Sequence, residues 1–464
     1  MMKKINGKAI GVIALAVVFA AALLVSFTDS ADKNMSGTVV FTDSAGKEIG
    51  KVKLKGDSEV ISAAEDGYYD YIKLAAQEAS ELYISSATGE EEKKKEAFYE
   101  NISVVKTNFD SFYFDKIKEG ISTSELESDT PFASVIVDGK GRVLASYGFV
   151  SDKGKTYSTH KTYAGSSIKP LSVYAPAIES GAVNWSSPVK DAPIKKIMSE
   201  TEGVKEWPSN ASGTYTNENM LVCDALYKSI NTVAVRTLKR VGVDYSLKFL
   251  SEKLGLDLEA EKRIIKEADE DEIYGNIALG YLVSGVSPLE MAGYYQIFMN
   301  GGQYTEPYTV VSLTDKDGNS VENKQETKRV ISSATASLMA RMLEGVVQKG
   351  GTAKQAAVKG VTMAGKSGTS DNYYDNWFIG FTPKFVCSVW HGFNDKSENS
   401  APAIFGSIIS QFPETNSEFM LSREVVPSIY CNKSGGIKGK GCYDTSVGYY
   451  LKGKMPPVCK ECGK

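Results

Sequence analysis

The rhythm of apolar and polar positions changes several times along this chain. Lys3, Lys4 and Lys8 precede a charge-free, mostly apolar run from Ala9 to Phe27. Its ~19 residues approach the ~20 a helix needs to cross a bilayer, and the basic side should stay cytoplasmic. An uncleaved single-pass anchor over residues 1–28 is therefore expected, with the rest of the chain extracytoplasmic at the cell membrane. A cleaved signal peptide is the rival reading, but no small-x-small cleavage site follows Phe27. GTVVFTD and KEIGKVKL flank the turn Ser44-Ala45-Gly46 and predict a β-hairpin over 37–54. From about Ala63 to Gly120 the apolar spacing turns helical, as in DYIKLAAQEASELYI. The run EEEKKKE, Glu90 to Glu96, reads as a solvated helix face.

The polar, turn-rich stretch Gly120 to Pro131 marks a boundary. FASVIVDGKGRVLASYG then places two β-rich runs around Asp138-Gly139-Lys140-Gly141, a second hairpin signal. Helical patterns dominate from Pro170 to about Met299. Strand signals return at YTVVSLTD, GVTMAGKSGT, NWFIGFT and KFVCSVWHGF. Two strands, a helical block and more strands predict an α+β fold with an antiparallel sheet. The expected layout is anchor, 1–28; hairpin and helical region, 35–128; main domain, 130–427; and a Gly- and Lys-rich tail, 428–464.

Composition narrows the function. The net charge of −4 and scattered lysines give no footprint for nucleic acid. No H-E-x-x-H, Walker loop or G-x-G-x-x-G after a strand is present, so no metal, nucleotide or other cofactor is expected in the chemistry. Cys223 and Cys387 lie in apolar contexts and read as buried thiols. Cys431, Cys442, Cys459 and Cys462 cluster near the end of the chain. In an exported protein they could form two disulfides, the favoured reading; one C-x-x-C also leaves zinc open.

Only His160 and His391 could serve a Ser-His-Asp triad, and neither context suggests it. With histidine scarce, lysine is the natural base for a serine nucleophile, provided burial or a neighbouring cation lowers its pKa. Ser166 and Lys169 stand three apart in AGSSIKPLSVYAPAIESG, a spacing that shares one helix face. Ser30, Ser44, Ser103, Ser158 and Ser187 also have lysine at that distance, so spacing alone is weak. Pro170 adds context: it puts the helix start no earlier than about Ser167, leaving Ser166 at an N-terminus. There it is either a simple cap or a nucleophile favoured by the helix end. Ser229 and Asn231, poor choices inside the helical run CDALYKSINTVAVRTLKR, predict a helix end or turn, where they either cap the backbone or point into a cleft. In VTMAGKSGTSD, strand alternation puts Lys366 and Gly368 on one face and Ser367 and Thr369 on the other. Gly368 there permits close backbone approach by a ligand.

S-x-x-K, S-x-N and K-S-G-T in this order are far more specific than any one alone. The chain here resembles the transpeptidase domain of class A penicillin-binding proteins, from about Phe132 to Pro413 and into the tail. ALGYLVSGVSPLEMAGYYQIFMNGGQY, NWFIGFTP and CSVWHGFND add to the likeness, as do Ser434-Gly435-Gly436, Gly441-Cys442 and Pro456 to Cys462. The resemblance implies the penicillin-binding/serine β-lactamase-like fold. Two departures stand out. K-S-G replaces the usual K-T-G, hydroxyl for hydroxyl. No glycosyltransferase stretch with its acidic motif lies between anchor and transpeptidase; ISVVKTNFD resembles the linker after that domain and the 37–54 hairpin the segment before it. Glycan polymerisation is not expected.

The resemblance implies a mechanism. Ser166 attacks the penultimate D-alanyl carbonyl of a peptidoglycan stem peptide and Lys169 takes its proton. Ser229 relays the proton to the leaving D-alanine, Asn231 holds the substrate amide, and Lys366 supplies positive charge. Ser367 and Thr369 bind the terminal carboxylate beside Gly368, and backbone N–H groups of Ser166 and Thr369 form the oxyanion hole. β-Lactams should acylate Ser166. Two alternatives stand beside D,D-transpeptidation: a D,D-carboxypeptidase or β-lactamase, in which water resolves the acyl-enzyme, and a non-catalytic β-lactam sensor or scaffold. A partner membrane glycosyltransferase could dock on residues 60–120.

Overall fold

The computed structural model describes residues 37–462, except 57, 87–89, 125, 127–129, 150–155, 200–202, 265–269, 371–373, 393–399 and 414–416. The expected anchor lies outside the described residues. Among those described, no helix is long and apolar enough to cross a membrane.

Two sheets organise the molecule. The five-stranded sheet is antiparallel throughout, in the order Ala364–Thr369, Asp375–Phe381, Phe385–Gly392, Phe132–Asp138, Val143–Gly148. Its three inner strands are buried along their whole length, because helices cover both faces. Strand alternation assigns the faces. Phe378 meets Phe405 of the helix Ala401–Ile409, whereas Phe381 meets Phe298 of the helix Pro288–Met299. The latter helix starts with a capping box, Ser287 exchanging bonds with Glu290. The predicted antiparallel α+β core is thus present.

The second sheet has six strands, in the order Ser320–Glu322, Val310–Asp315, Ile102–Thr107, Thr38–Thr42, Glu48–Lys55, Ser58–Ala63. The predicted hairpin is there, extended by a third strand. Two expectations change. The helical region over 63–120 is broken by the strand Ile102–Thr107, between the helices Glu91–Asn101 and Ser111–Ser122. Its β-branched residues Ile102, Val104 and Val105 favour a strand. YTVVSLTD joins this sheet rather than the main one, pairing Leu313 with Val105. Thr38–Thr42 also pairs, in parallel, with Ile102–Thr107, so the segments likened to the two flanks of a glycosyltransferase are adjacent strands.

The helix Tyr69–Ser86 covers the second sheet and ties it to the first. Asp70 is buried and accepts from Ser158 Oγ at 2.6 Å and from Ser146 Oγ. Burial raises its carboxyl to about 6, against the lowering effect of those hydroxyls. Of the EEEKKKE run, Glu90, Lys93 and Glu96 are exposed, Lys93 pairing with Glu90, whereas Lys94 and Lys95 are half-buried at the start of the helix Glu91–Asn101.

The tail forms the hairpin Val425–Cys431 with Thr445–Leu451. The favoured disulfides are absent. All four tail cysteines are free, and the Sγ atoms of Cys431 and Cys462 stand 3.5 Å apart, against ~2.05 Å for a disulfide.

Candidate active site

Ser166 lies in a 3₁₀ turn, Gly165–Ile168, which runs through Lys169 into a π-helical turn, Pro170–Tyr174, and then the helix Ala175–Glu179. This refines the expected helix start. Ala164, not Ser166, holds the cap position, and no side chain caps it. Proline explains the tight first turn. An α-helix would send the Pro170 N–H to the Ser166 carbonyl, but Pro170 has none. The Lys169 N–H takes that carbonyl instead. Ser166 is therefore not consumed as a cap, and the cap alternative falls. Ser167 carries the local bonding: its Oγ donates to Ala164 O at 2.7 Å, and Tyr295 OH donates to its carbonyl.

The strand Ala364–Thr369 runs against this turn with almost no space between the backbones. A Cβ on Gly368 would sit 2.5 Å from Ala164 O and 2.8 Å from Ser167 N. A Cβ on Gly165, whose φ is +51°, would sit 2.5 Å from Thr369 O. The expectation of a ligand close to Gly368 changes: the Ser166 turn itself makes the close approach. Alternation follows the sequence reading: Lys366 and Gly368 are buried, Ser367 and Thr369 half-buried.

Ser229 and Asn231 sit between the helices Val222–Tyr227 and Asn231–Val241. The first helix ends in a Schellman motif: Ile230 N bonds Ala225 O at 2.9 Å and Ser229 N bonds Leu226 O at 3.1 Å. That motif needs a left-handed residue, normally glycine, and Ser229 fills it at φ 60°. A non-glycine residue there costs ~1–2 kcal/mol. The strain holds a hydroxyl where two lysines meet it.

Lys366 Nζ donates to Ser229 Oγ at 2.9 Å and to Ser367 O at 2.9 Å. Lys169 Nζ reaches Ser229 Oγ at 3.4 Å, Ser229 O at 2.9 Å and Asn231 Oδ1 at 2.5 Å. Both lysines are fully buried, and among the described residues no carboxylate bonds to either. Burial lowers Lys366 to about 7. Burial, and then the charge of Lys366, hold Lys169 well below the usual lysine range. A lysine so placed gives up its proton more readily than a solvated one and can act as a base.

Two groups of supporting residues carry no sequence signal. Asp191, Asn210 and Thr232 form a buried network: Asn210 Nδ2 and Thr232 Oγ1 donate to Asp191 Oδ1 at 2.8 and 2.6 Å. Asn210 Oδ1 in turn accepts from Asn231 N at 3.0 Å, capping the second helix. Asn231 Nδ2 donates to Ser209 O at 2.6 Å, which orients its Oδ1 toward Lys169. Thr352 shares a 2.8 Å hydrogen bond with Ser367 Oγ, while its N–H donates to Tyr227 O at 3.2 Å. It links the strand to the helix that ends at Ser229.

The histidines stand apart from this cluster. His391 is buried in its strand, bonded through Nε2 to Ser400 at 2.7 Å, and burial lowers it to about 4. The His160 ring lies 5.6 Å from that of Tyr157 and 5.5 Å from that of Trp390. Cys223 and Cys387 are buried thiols, as expected, each raised by burial to about 12.

Residues 132–410 match the model of the penicillin binding protein transpeptidase domain. Penicillin-binding protein 1F of Bacillus subtilis is 31% identical over 390 residues, covering 79% of this chain and 50% of that protein. Penicillin-binding protein 1A of Clostridium botulinum is 32% identical over 297 residues, 60% of this chain and 34% of that protein. The chain thus spans half or less of the length of these two relatives. Among solved structures, the D,D-transpeptidase domain of a peptidoglycan glycosyltransferase from Eggerthella lenta aligns over 82% of this chain and 98% of its own. The TM-score is 0.60 and the identity 18%. Penicillin-binding protein A from M. tuberculosis, as its imipenem acyl-enzyme complex, aligns over 81% of this chain and 99% of its own, with a TM-score of 0.59 and 18% identity. At such identities the likeness concerns the fold.

Proposed function

Since the chain belongs to the penicillin-binding protein transpeptidase family, we propose that it cross-links peptidoglycan as a serine D,D-transpeptidase. One observation carries the reading: two buried lysines with no carboxylate partner converge on Ser229 Oγ, next to the turn that bears Ser166. Neutral Lys169 takes the Ser166 proton as Oγ attacks the penultimate D-alanyl carbonyl. The C–N bond to the terminal D-alanine breaks, and Ser229 passes the proton from Lys169 to the departing amine. The abutting backbones of Gly165 and Thr369 support an oxyanion hole built from the N–H groups of Ser166 and Thr369. Ser367 and Thr369 hydroxyls, with the charge of Lys366 behind them, suit the terminal carboxylate. Asn231 suits the stem-peptide amide. An amine of a second stem peptide then takes the acyl group and frees Ser166. The run Ala9–Phe27 would tether this site at the outer membrane face, and a membrane glycosyltransferase would supply the glycan.

A fluorescent penicillin tests the nucleophile. Wild-type protein should label covalently and Ser166→Ala should not; labelling that persists in the variant refutes the assignment. Following the adduct by intact mass separates the outcomes that share an acyl-enzyme. Rapid loss of the adduct in water favours the β-lactamase reading, whereas release only to an added amine favours transpeptidation.

A further inference from the structure

We propose that Cys431, Cys442, Cys459 and Cys462 form a tetrathiolate site for one Zn²⁺, which fastens the tail to the transpeptidase body. The four Sγ atoms all lie within 4.8 Å of one another. Cys431 and Cys462 are 3.5 Å apart, Cys459 and Cys462 3.9 Å. Zinc bound tetrahedrally at ~2.3 Å per sulfur separates its ligands by ~3.8 Å. The observed spacing fits that geometry and is far too long for a disulfide bond.

The surrounding backbone makes the same case independently. N–H groups of Lys433 and Ser434 face Cys431 Sγ, and those of Glu461 and Cys462 face Cys459 Sγ. Gly439 N donates to Cys442 Sγ at 3.4 Å. Amides aimed at sulfur from the two or three following residues form the knuckle that stabilises a metal thiolate, and such outer contacts orient the ligands. The charge balance is also favourable. Binding converts four S–H groups to four thiolates, releases four protons to solvent and leaves a site of charge −2. The tail sequence around it carries Lys433, Lys438, Lys440 and Lys460 against Asp444 and Glu461.

The site has a mechanical outlet. Ser186 Oγ donates to Gly435 O at 2.6 Å, and Tyr450 OH lies 2.7 Å from the same Oγ. The neighbouring carbonyls of Trp185 and Ser187 accept from Cys223 N and Val222 N, at the start of the helix whose far end presents Ser229. The tail thus braces one end of that helix.

Metal analysis of the full chain, purified under reductant without chelator, tests this. About one zinc per chain is expected, and replacement by Co²⁺ should give the intense thiolate-to-metal absorption of four sulfur ligands. The paired variant Cys459→Ser/Cys462→Ser should lose both signals. Protein without bound metal after a zinc-supplemented preparation overturns the proposal. So do two disulfides in the intact mass of the wild-type chain, a cobalt spectrum lacking four-sulfur character, or undiminished zinc in the paired variant. The wild-type readings decide the matter even if the variant fails to fold.

Discussion

Two pairs of lysines show how differently this molecule treats the same side chain. Lys73 and Lys95 both reach Glu59, at 3.2 and 3.0 Å, on the edge of the six-stranded sheet, and both stay about one-third exposed. Lys169 and Lys366 both reach Ser229, fully buried, with no acid bonded to either among the described residues. In the first pair the carboxylate stabilises charge: burial alone would raise Glu59, but the two lysines outweigh it and lower its pKa. In the second pair nothing offsets burial, and the lysines drift toward neutrality. A missing counter-ion thus separates a lysine that holds structure from one that can accept a proton.

The largest test of this contrast is Lys169→Met. The variant should fold, since it puts an apolar chain of similar length at a fully buried position, while acylation by penicillin falls by ~10²–10⁴-fold, the range of a lost general base. Near-normal acylation, measured by stopped-flow or intact mass, would put Lys169 in the same class as Lys73. The pH profile comes next. Acylation should have its rising limb well below the ordinary lysine range, where Lys169 loses its proton, and should weaken above about 7, where Lys366 loses the charge that suits the carboxylate. A rise deferred to pH ~10.4, the ordinary lysine value, would break the comparison.

Stability should rise with pH in both regions, but in different windows. The unfolded chain keeps these lysine protons up to pH ~10.4, whereas folded Lys366 keeps its proton only to about 7. Between those limits the unfolded state binds more protons, so stability rises with pH. Glu59 gives a slope of the same sign in a lower window. Its lowered pKa gives stability that is present above the normal carboxylate range and fades as pH falls through it. Denaturant melts across pH distinguish the two windows. The smallest effect is Glu59→Gln, which should cost about 1 kcal/mol or less, given its partly exposed partners. Penicillin acylation should not change; a loss there would couple the two sheets in a way the contrast does not allow.

The chemistry of the site was legible because its parts are local in sequence. Ser166 and Lys169 share one turn, and Ser229 and Asn231 share one helix junction. Lys366 to Thr369 share one strand, whose alternation is fixed by the pleat. What holds them was not. Asp191, Asn210 and Thr232 come from three separate segments, and no periodicity links them. YTVVSLTD read correctly as a strand, but alternation is the same in any sheet, so its place beside Ile102–Thr107 was hidden. The Ser166 turn begins at Gly165, two residues earlier than Pro170 suggested, because a 3₁₀ bond satisfies the carbonyl that proline cannot. The four tail cysteines announced a cluster, but only their spacing in three dimensions speaks against disulfides.

The five-stranded sheet also dictates a timetable for synthesis. Phe132–Asp138 is apolar and wholly covered in the finished protein, yet its neighbour Phe385–Gly392 is translated about 250 residues later. At ~5–20 residues per second, the first strand waits roughly ten seconds or more on the ribosome without the second. Pairing at such separation is slow, and an uncovered strand edge invites wrong partners. The nascent chain therefore depends on being kept unfolded until residue 392 has emerged, and the site around Ser166, whose wall is the edge strand Ala364–Thr369 of that sheet, is assembled among the last parts of the molecule.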